Sequence, residues 1–381
     1  MHIKEIKTSE EFLSLERDWK SLLGRSRDLH IFQTYEWNLV WWENFSRYYH
    51  LNIIVLKEND NTVGILPLVY SKQGFGIVNW RRYEFMAPCV SNYHDVILAE
   101  DADIRQVLMV LKDYILSNFS ILDYLELRYI PAESPLSIIF NDSRNLPDIN
   151  RVSFEHEPAQ KVDIDEPWDR YFSSRSRNLR HDIKHKLKRI NEAGNLEYAD
   201  CKDEKRLNEM LLCMTNMQID NWDRRGRESW LEQKEYQAFD RQIGAICLKN
   251  GWLFSHYLTL DKNVIACHFG FKFNKHVYYH EIAYSMSHFN FSPGKLLQYF
   301  ELKEAFDLGL KAFDFAQGSS FYKDRWCNKE RKTYRIYFFK GKPCIRQYYL
   351  ELLKPVIRKS YIYFKERIKP SFKRLIRAKQ S

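Results

Sequence analysis

The sequence predicts an α/β fold whose sheets are of mixed direction and mainly antiparallel. Three strand candidates, at 252–260, 264–273 and 276–285, are joined by short polar turns, which is typical of an antiparallel meander. A helix that begins near Pro293 and a strand at 312–315 follow directly. A strand, a capped helix and a second strand within about forty residues indicate a parallel crossover. The meander therefore continues into a parallel pair.

The N-terminal half shows a similar mixture. Its pattern predicts two helices, a hairpin, a third helix and a further strand, at 9–23, 35–48, 51–57 with 62–70, 103–118 and 124–129. The segment 130–167 is rich in proline and polar residues, which is typical of a connection between domains. The sequence thus predicts an N-terminal domain over 1–150, a C-terminal catalytic domain over 151–345 and a basic helical tail over 346–381.

The composition is that of a globular protein. Of the 381 residues, 45% are hydrophobic and 29% are charged, which argues against disorder and against a small disulfide-stapled scaffold. The seven cysteines are scattered and form no C-x-x-C pair, so they predict neither a disulfide framework nor a zinc site. The longest apolar runs are far shorter than the ~18 residues of a membrane-spanning helix. We therefore expect a cytoplasmic protein that uses no metal.

The net charge of +9 is concentrated near the end of the chain. The segment 354–381 holds ten Lys or Arg against one Glu, with apolar residues spaced three to four apart among the cations. Two interpretations stay open: a basic amphipathic helix that lies on an anionic membrane surface, and a solvated helix packed on its own domain. The first predicts peripheral contact with the inner face of the membrane.

A second group of cations lies on a predicted helix that starts after Ser173 or Ser174 and stops at Gly194. Apolar positions form one stripe of this helix, and the segment 175–189 carries seven Lys or Arg against one Asp. Such a face suits the phosphate groups of a cofactor or of RNA, and a solvated surface explains it equally well. Arg177 and Arg180 are the candidates for binding phosphate.

The helix that follows the meander begins in the manner of an anion site. Ser292 is placed to cap it, Pro293 suits its first position, and Gly294 lets a pyrophosphate approach the backbone. The first N–H groups of such a helix lack intrahelical partners and lie at the positive end of its dipole. Lys295 adds a charge. An ordinary capped helix is the alternative interpretation.

The residues after this helix carry a more specific pattern. The run FDFAQG at 313–318 is followed by YKDRW at 322–326. Together with the SPGK start at 292–295, the basic helix and the meander, this order resembles the GNAT-fold acetyltransferases of the CelD/BcsL type. These are associated with polysaccharide biosynthesis and are related to the Fem-type aminoacyl transferases. The resemblance is good over about 170–330 and looser over the N-terminal half.

The resemblance implies two tandem GNAT-like domains, the second of them catalytic. It implies an acyltransferase, an N-acetyltransferase in the simplest case, that moves an acyl group from acetyl-CoA or another acyl-CoA to an amine or hydroxyl. The pyrophosphate would lie at Ser292, Gly294 and Lys295. The far wall of the site would be formed by five residues after the last core strand: Asp314, Gly318, Tyr322, Lys323 and Trp326.

One departure from the superfamily pattern leaves two alternatives open. The usual glycine-rich loop is reduced here to Gly294. Fem-type relatives also lack the full loop and use aminoacyl-tRNA, in which case the basic helix would contact tRNA. The other alternative is a binding module that kept the fold and lost the reaction.

Direct transfer to an amine needs a base and a group that stabilises negative charge. His280 and Glu281 are the candidates for the base. Strict alternation along the strand predicts that only one of them faces the cleft, and Glu281 is preferred. Lys323, beside Tyr322, is the candidate cation for an oxyanion or a phosphate. Asp314 is expected to orient Lys323 or to cap a turn.

The acceptor site is expected between two helices of the catalytic half. Trp222, Trp230, Arg224 and Arg225 lie there, and such side chains suit a sugar ring with acidic groups. Trp326 joins this set from the far wall. Core packing explains the tryptophans equally well. The expected acceptor is a small molecule or a glycan precursor of polysaccharide or envelope-glycoconjugate synthesis, as the resemblance implies.

Overall fold

The structure is a computed structural model, and the described chain forms three sheets of four, six and seven strands. The described residues are 1–75, 77–137, 149–156, 158–318 and 320–340. The predicted basic tail, 346–381, lies outside them.

The elements of the N-terminal half follow the predicted order. Its helices are α1 (Ser9–Ser14), α2 (Glu16–Leu23), α3 (Tyr35–Phe45) and α4 (Ile104–Asn118). Its strands are β1 (His2–Ile6), β2 (His50–Leu51), β3 (Ile53–Glu58), β4 (Asn61–Leu66), β5 (Leu68–Phe75), β6 (Val78–Phe85), β7 (Ile97–Leu98) and β8 (Tyr124–Pro131). Three of these helices begin at a side-chain cap, formed by Thr8, Thr34 and Asp103.

The elements of the C-terminal half include the predicted meander and crossover helix. Its helices are α5 (Trp168–Ser174), α6 (Arg177–Ala193), α7 (Glu204–Asp223), α8 (Lys234–Lys249), α9 (Pro293–Asp307) and α10 (Phe321–Trp326). Its strands are β9 (Ile149–Glu155), β10 (Ala159–Asp163), β11 (Leu196–Asp200), β12 (His256–Leu260), β13 (Asn263–Phe273), β14 (His276–Tyr284), β15 (Ala312–Gln317), β16 (Lys329–Arg331) and β17 (Thr333–Lys340). A short 3-10 turn, Met286–Phe291, precedes α9.

Both halves combine antiparallel strands with one parallel crossover. The N-terminal strands form a sheet of order β1-β3-β4-β7 and contribute to a second of order β2-β5-β6-β8-β17-β9, in which α4 links the parallel pair β6 and β8. The C-terminal sheet has the order β11-β12-β13-β14-β15-β10-β16, and α9 links the parallel pair β14 and β15. The predicted fold class, two tandem GNAT-like units with mixed and mainly antiparallel sheets, is confirmed.

The connection between the halves is itself part of both sheets. Strands β9 and β17 pair with each other, and β17 pairs with β8 of the N-terminal half. Strand β10 inserts between β15 and β16. The proline-rich segment 130–167 therefore contains two paired strands, β9 and β10. Strand β17 and all but the first two residues of β9 fall within the predicted C-terminal domain, and both strands complete the N-terminal sheet. Boundaries at 150 and 345 stay a proposal for the division along the sequence.

The basic helix begins later than the sequence predicts. Ser176 caps α6, since its hydroxyl accepts the N–H of Leu179 at 3.2 Å. The predicted cap residues, Ser173 and Ser174, belong to the separate helix α5. Helix α5 forms because Trp168 and Tyr171 bury one side of it in the core.

The two halves share one hydrophobic core. The Trp37 ring on α3 lies 5.2 Å from the ring of Phe239 on α8 and 5.2 Å from that of Phe271 on β13, measured between centroids. Phe32 contacts Tyr278 on β14 at 5.4 Å. The N-terminal half therefore packs directly on the face of the C-terminal sheet formed by β13 and β14.

Candidate functional site

Strands β14 and β15 separate at their carboxyl ends. Their pairing is confined to three registers, from His276↔Ala312 to Tyr278↔Asp314. Beyond them β14 stays paired with β13, and β15 stays paired with β10. A wedge between residues 279–284 and 315–318, here called the cleft, therefore opens at the end where open α/β sheets bind ligands.

Backbone groups of β14 point into the cleft. The N–H of Ser285 donates to β13 at 2.8 Å, so the alternation of an antiparallel ladder directs the N–H and C=O groups of Ile282 and Tyr284 away from β13. These carbonyls accept hydrogen bonds from Gln218 at 3.4 Å and Asn221 at 3.0 Å, both on α7. The two N–H groups have no partner among the described residues. They are suited to stabilise negative charge.

A β-bulge places His280 and Glu281 on the same face of the sheet. Tyr279 lies opposite Gly270, and Glu281 lies opposite the adjacent Phe269. His280 is therefore an extra residue on β14, and the alternation of side chains restarts after it. Both side chains face α7, α8 and the N-terminal half. The prediction that only one of them faces this side is wrong, because strict alternation does not continue through a bulge.

Two hydrogen bonds hold the Glu281 side chain, and its pKa lies close to neutral pH. Its carboxylate accepts from Trp230 Nε1 at 2.9 Å and from Gln218 Nε2 at 3.3 Å. Burial raises its pKa to about 7, although the Trp230 hydrogen bond favours the charged form. Asp240 on α8 is buried, and burial and the charge of Glu281 raise its pKa well above the usual range. A pKa near 7 is what a general base needs.

His280 lies in apolar surroundings instead. Its ring centroid is 5.5 Å from that of Phe271 and 5.8 Å from that of Trp37. Burial lowers its pKa to about 3, so the ring is neutral. Its Nδ1 is buried and has no hydrogen-bond partner within the described part of the chain. Glu281 is therefore the better candidate for the base.

The start of α9 differs from the prediction in two details. Ser292 adopts a left-handed conformation (φ 53°), and its side chain makes no cap. Gly294 is buried, and a Cβ added there would lie 3.2 Å from the ring of Tyr284 and 3.4 Å from Ile282. The missing side chain at Gly294 therefore lets α9 pack on β14, rather than opening the backbone to a ligand. The Gly294 N–H still has no partner among the described residues.

Four cations surround the start of α9. Lys295 pairs with Asp182 on α6 at 2.5 Å, and Arg325 on α10 lies 3.6 Å from the same carboxylate. Lys186 donates to a backbone carbonyl of the 286–291 turn at 2.6 Å. Arg189 lies 5.7 Å from the centre of an aromatic ring in that turn. The basic helix thus lies against the predicted anion site, where its charge favours phosphate.

The two arginines predicted to bind phosphate lie nearer the start of α6. Arg177 is exposed. Arg180 is half-buried and donates its Nε to the carbonyl of Arg175 at 3.1 Å. The turn that precedes α9 is contacted instead by Lys186 and Arg189, further along the helix. A phosphate role for Arg177 and Arg180 stays a prediction.

Asp314 joins the two halves. Its two carboxylate oxygens accept from the Tyr93 hydroxyl at 2.9 and 2.8 Å, and Arg331 lies 4.0 Å away. The N–H of Ala316, a residue with φ 59°, also donates to Asp314 at 2.8 Å. Asp314 therefore caps the turn after β15. It does not orient Lys323, because its carboxylate faces the N-terminal half.

The residues of the predicted far wall surround this turn. Lys323 is 7% exposed, and its ammonium donates to two carbonyls at the end of β15, at 2.7 and 3.4 Å. Gly318 has φ 87°, which the turn requires. Tyr322 packs on Phe315 with ring centroids 6.5 Å apart, and burial raises its pKa. Lys323 thus fixes the turn, and Tyr322 keeps its proton at neutral pH.

Trp326 belongs to the core rather than to the acceptor side. Its side chain is 1% exposed and lies 6.3 Å from the Phe172 ring. Its carbonyl accepts hydrogen bonds from Tyr171 at 2.5 Å and from Arg175 at 3.0 Å. The predicted contact between Trp326 and the acceptor is wrong, because α5 covers this end of α10.

The other predicted acceptor residues lie beside Glu281. The rings of Trp222 and Trp230 meet edge to face at 5.4 Å, and Trp230 is 37% exposed. Arg224 pairs with Asp220 at 2.9 Å, and Arg225 is exposed. The end of α7 and the loop after it thus form an aromatic and cationic wall next to the candidate base.

A buried polar network behind the cleft escaped the sequence analysis. Glu301 of α9 is fully buried between His268, at 2.5 Å, and His256, at 3.3 Å. Burial opposes protonation of His256, but Glu301 and Glu304 outweigh it and raise its pKa to about 9. The signal in the sequence was a Glu within the apolar stripe of α9, opposite histidines on two neighbouring strands.

Among the described residues, no group of three or more His, Cys, Asp or Glu side chains is arranged to hold a metal ion. Within the same ranges, no helix combines the length and the apolar character needed to span a bilayer.

The cleft lies in a segment that matches a known family. Residues 177–324 match the acetyltransferase (GNAT) domain family. The matched segment contains β14 with Glu281, the start of α9 and most of α10. This segment of the chain is therefore similar to GNAT acetyltransferase domains. No curated protein matches the sequence.

Solved structures show the same fold across both halves. FemX is 12% identical, with a TM-score of 0.56 over 87% of this chain and 97% of its own. A protein of unknown function from Bacteroides thetaiotaomicron is 10% identical, with a TM-score of 0.53 over 89% of this chain and 100% of its own. The C-terminal domain of a putative lysylphosphatidylglycerol synthetase from Agrobacterium fabrum is 9% identical, with a TM-score of 0.52 over 91% of this chain and 96% of its own. These similarities establish a Fem-like fold.

Proposed function

We propose that the chain transfers an acyl group from acyl-CoA, acetyl-CoA in the simplest case, to an amine or hydroxyl acceptor. The observation that carries the proposal is the coincidence of three features at one cleft: unpaired N–H groups on β14, four cations around the start of α9, and a carboxyl group with a pKa of about 7. The resemblance to CelD/BcsL-type proteins supports an acceptor from polysaccharide or envelope-glycoconjugate synthesis.

The start of α9 fits the pyrophosphate of the donor. The N–H of Gly294 is unpaired among the described residues, and Lys186, Lys295 and Arg325 bring positive charge close to it. An anion at a helix start gains from both the free N–H groups and the dipole. The donor would supply the acyl group in activated form, as a thioester.

The residues around the cleft divide the remaining tasks. Glu281 takes the proton of an acceptor that arrives as ammonium, since its pKa of about 7 leaves a large carboxylate fraction at neutral pH. The N–H groups of Ile282 and Tyr284 face the place where negative charge develops. Tyr322, which is protonated at neutral pH, donates its proton to the sulfur as the acyl–sulfur bond breaks and the bond to the acceptor forms. The phenolate then regains a proton from water, since Tyr322 is 37% exposed. Trp222 and Trp230 offer a surface on which the acceptor can stack.

The donor is tested by calorimetric titration of the purified chain with acetyl-CoA, comparing Lys186→Glu with Lys188→Glu. Lys186 contacts the turn before α9, whereas Lys188 is 77% exposed and lies 3.8 Å from Glu192. We expect Lys186→Glu to weaken binding about tenfold or more, since hydrogen bonds to charged groups contribute about 1.5–3 kcal/mol. Lys188→Glu makes the same charge change on the same helix and should bind like the wild type.

Absence of binding by the wild type would overturn acyl-CoA as the donor. The exposed cations of α6, Arg177 and Lys184 among them, favour aminoacyl-tRNA as the second candidate. RNA that co-purifies with the wild type and is lost in both lysine variants would support it, because nucleic-acid contacts are spread along a basic surface. If neither acetyl-CoA nor RNA binds, the remaining interpretation is a binding module that kept the fold and lost the reaction.

Peripheral membrane contact through 354–381 is also a proposal. It rests on the basic amphipathic pattern of that segment. Unchanged co-sedimentation with anionic liposomes after deletion of 354–381 would exclude it.

A further inference from the structure

An open cavity of about 580 Å³ lies in the N-terminal half, away from the cleft. It is lined in the middle of β6 by Arg81 and Tyr83, and at the end of α4 by Tyr114 and Asn118. Its lining residues all lie between Glu5 and Asn118, whereas the cleft lies between residues 279–284 and 315–318. The cavity is therefore a separate feature, and its volume falls within the range of small-molecule sites, about 300–1,000 Å³.

Six of the fifteen residues that line the cavity carry aromatic rings: Trp42, Tyr49, His50, Tyr70, Tyr83 and Tyr114. The rings of His50 and Tyr70 stack at 4.8 Å, and Tyr83 lies 5.3 Å from Tyr70. Trp42 is half-buried in the wall and is fixed by the hydrogen bond from its Nε1 to Ser9 Oγ at 3.0 Å. The Tyr83 ring is 2% exposed and stacks on Phe119 at 4.3 Å. Trp42, His50 and Tyr70, which are partly or largely exposed, are therefore the rings available to a ligand.

The same walls carry polar groups that the protein leaves unused. The hydroxyls of Ser46, Tyr49, Tyr70 and Tyr83 all belong to cavity-lining residues. None of them has a hydrogen-bond partner in the part of the chain that the structure describes. Each hydroxyl can both donate and accept. The cavity thus presents several neutral hydrogen-bonding groups between aromatic faces.

The charges around the cavity compensate each other. Lys7 lies 3.0 Å from Glu5, and Arg81 lies 2.6 Å from the buried carboxylate of Asp123. Two cations therefore face two carboxylates, and the cavity has no excess charge to attract an ion. An uncharged ligand with many hydroxyl groups and flat C–H faces matches such walls.

We propose that this cavity binds an uncharged saccharide ring. Aromatic faces pack against the C–H surfaces of the ring, and the free hydroxyls exchange hydrogen bonds with those of the sugar. The site is independent of the cleft and of the acyl transfer proposed for it. A free monosaccharide and one unit of an oligosaccharide chain share this chemistry.

The test is titration of the full chain, by calorimetry and ligand-observed NMR, with glucose, N-acetylglucosamine, cellotetraose and glucuronate. We expect saturable binding of at least one of the three uncharged probes. The double variant Tyr49→Phe/Tyr70→Phe keeps both rings and should weaken that binding at least tenfold. Tyr48→Phe is the matched control, because Tyr48 is 52% exposed and does not line the cavity. Ser46→Trp, which fills the cavity with an indole, should abolish binding.

Each outcome bears on the proposal. Tighter binding of cellotetraose than of glucose identifies a chain as the source, and equal binding identifies a free sugar. The proposal is overturned if no uncharged probe binds, if glucuronate binds more tightly than all of them, or if the double variant and Ser46→Trp, folded by circular dichroism, bind like the wild type. Since no donor is present, the result is separate from the outcome for acyl transfer.

Discussion

At the scale of single residues, the chemistry depends on one extra position in β14. The bulge at His280 restarts the alternation, so that Glu281 reaches Trp230 and Gln218 on the helical side of the sheet. Without it, Glu281 would face α9. The residue types alone made both His280 and Glu281 reasonable bases. Their surroundings separate them, because burial leaves one neutral and gives the other a pKa of about 7.

Replacing Glu281 by Gln should lower kcat for acetyl transfer by about 10²–10⁴-fold, the usual contribution of a general base. In the wild type, kcat/KM should rise with pH through about 7, because the carboxylate form accepts the proton. This rise should be absent in Glu281→Gln. Initial rates of thiol release between pH 5.5 and 8.5 measure both effects. The control is Glu209→Gln, an exposed position on α7. A variant with wild-type rate and pH profile would exclude Glu281 as the base.

At the scale of elements, α9 serves the cleft at one end and the core along its length. Gly294 packs its first turn on β14, and Glu301 reaches two histidines in its middle. The helix is therefore fixed against the strands whose separation forms the cleft. Its buried charge requires compensation, which the protonated His256 provides.

This network makes stability depend on pH. The pKa of folded His256, about 9, exceeds the unfolded value of about 6.5. Its contribution is therefore fully present below pH 6.5 and is lost as the pH rises through 9. We expect the wild type to lose about 2–3 kcal/mol more than His256→Asn between pH 6.5 and 9.5. Urea unfolding at both pH values measures this, with the exposed His185→Asn as control. Equal losses in wild type and His256→Asn would contradict it.

Most elements could be predicted from the sequence, because their signals are local. The meander, the helix after Pro293 and the strand at 312–317 have turn residues and apolar periodicity at their boundaries. The bulge could not, since it depends on the register between two strands. The left-handed Ser292 and the buried Trp326 escaped for a similar reason: both follow from packing against distant segments. Trp222 and Trp230 were chosen from residue type alone, and the structure places them beside Glu281. Their contact with the acceptor stays a prediction.

At the scale of the whole molecule, the halves are joined by shared strands, a shared core and a buried polar contact. Asp314 lies in the last parallel register of the C-terminal sheet, opposite Tyr278, yet its partner Tyr93 belongs to the N-terminal half. A cation–π contact lies at the same place: the Arg331 guanidinium is 5.1 Å from the centre of the Tyr93 ring. The cleft therefore keeps its shape only while the halves stay together.

Tyr93→Phe should lower the free energy of unfolding by about 1–3 kcal/mol, because it leaves the buried carboxylate of Asp314 short of a donor. Tyr278→Phe is the matched control: this tyrosine is also buried at the interface, but its hydroxyl has no partner among the described residues. Urea titration followed by circular dichroism compares the two. A smaller effect at Tyr93 than at Tyr278 would show that the hydrogen bonds contribute nothing.

The exchange of strands also fixes the order in which the molecule can be completed during synthesis. Strand β17 lies between β8 and β9, so the sheet of the first half keeps an empty position until the ribosome has translated as far as Lys340. Until then two strands present open edges, and such edges recruit foreign strands. The half that is synthesised first is thus the last to complete its sheet. We therefore expect a chain truncated within the second half to keep open strand edges in the first half and to aggregate.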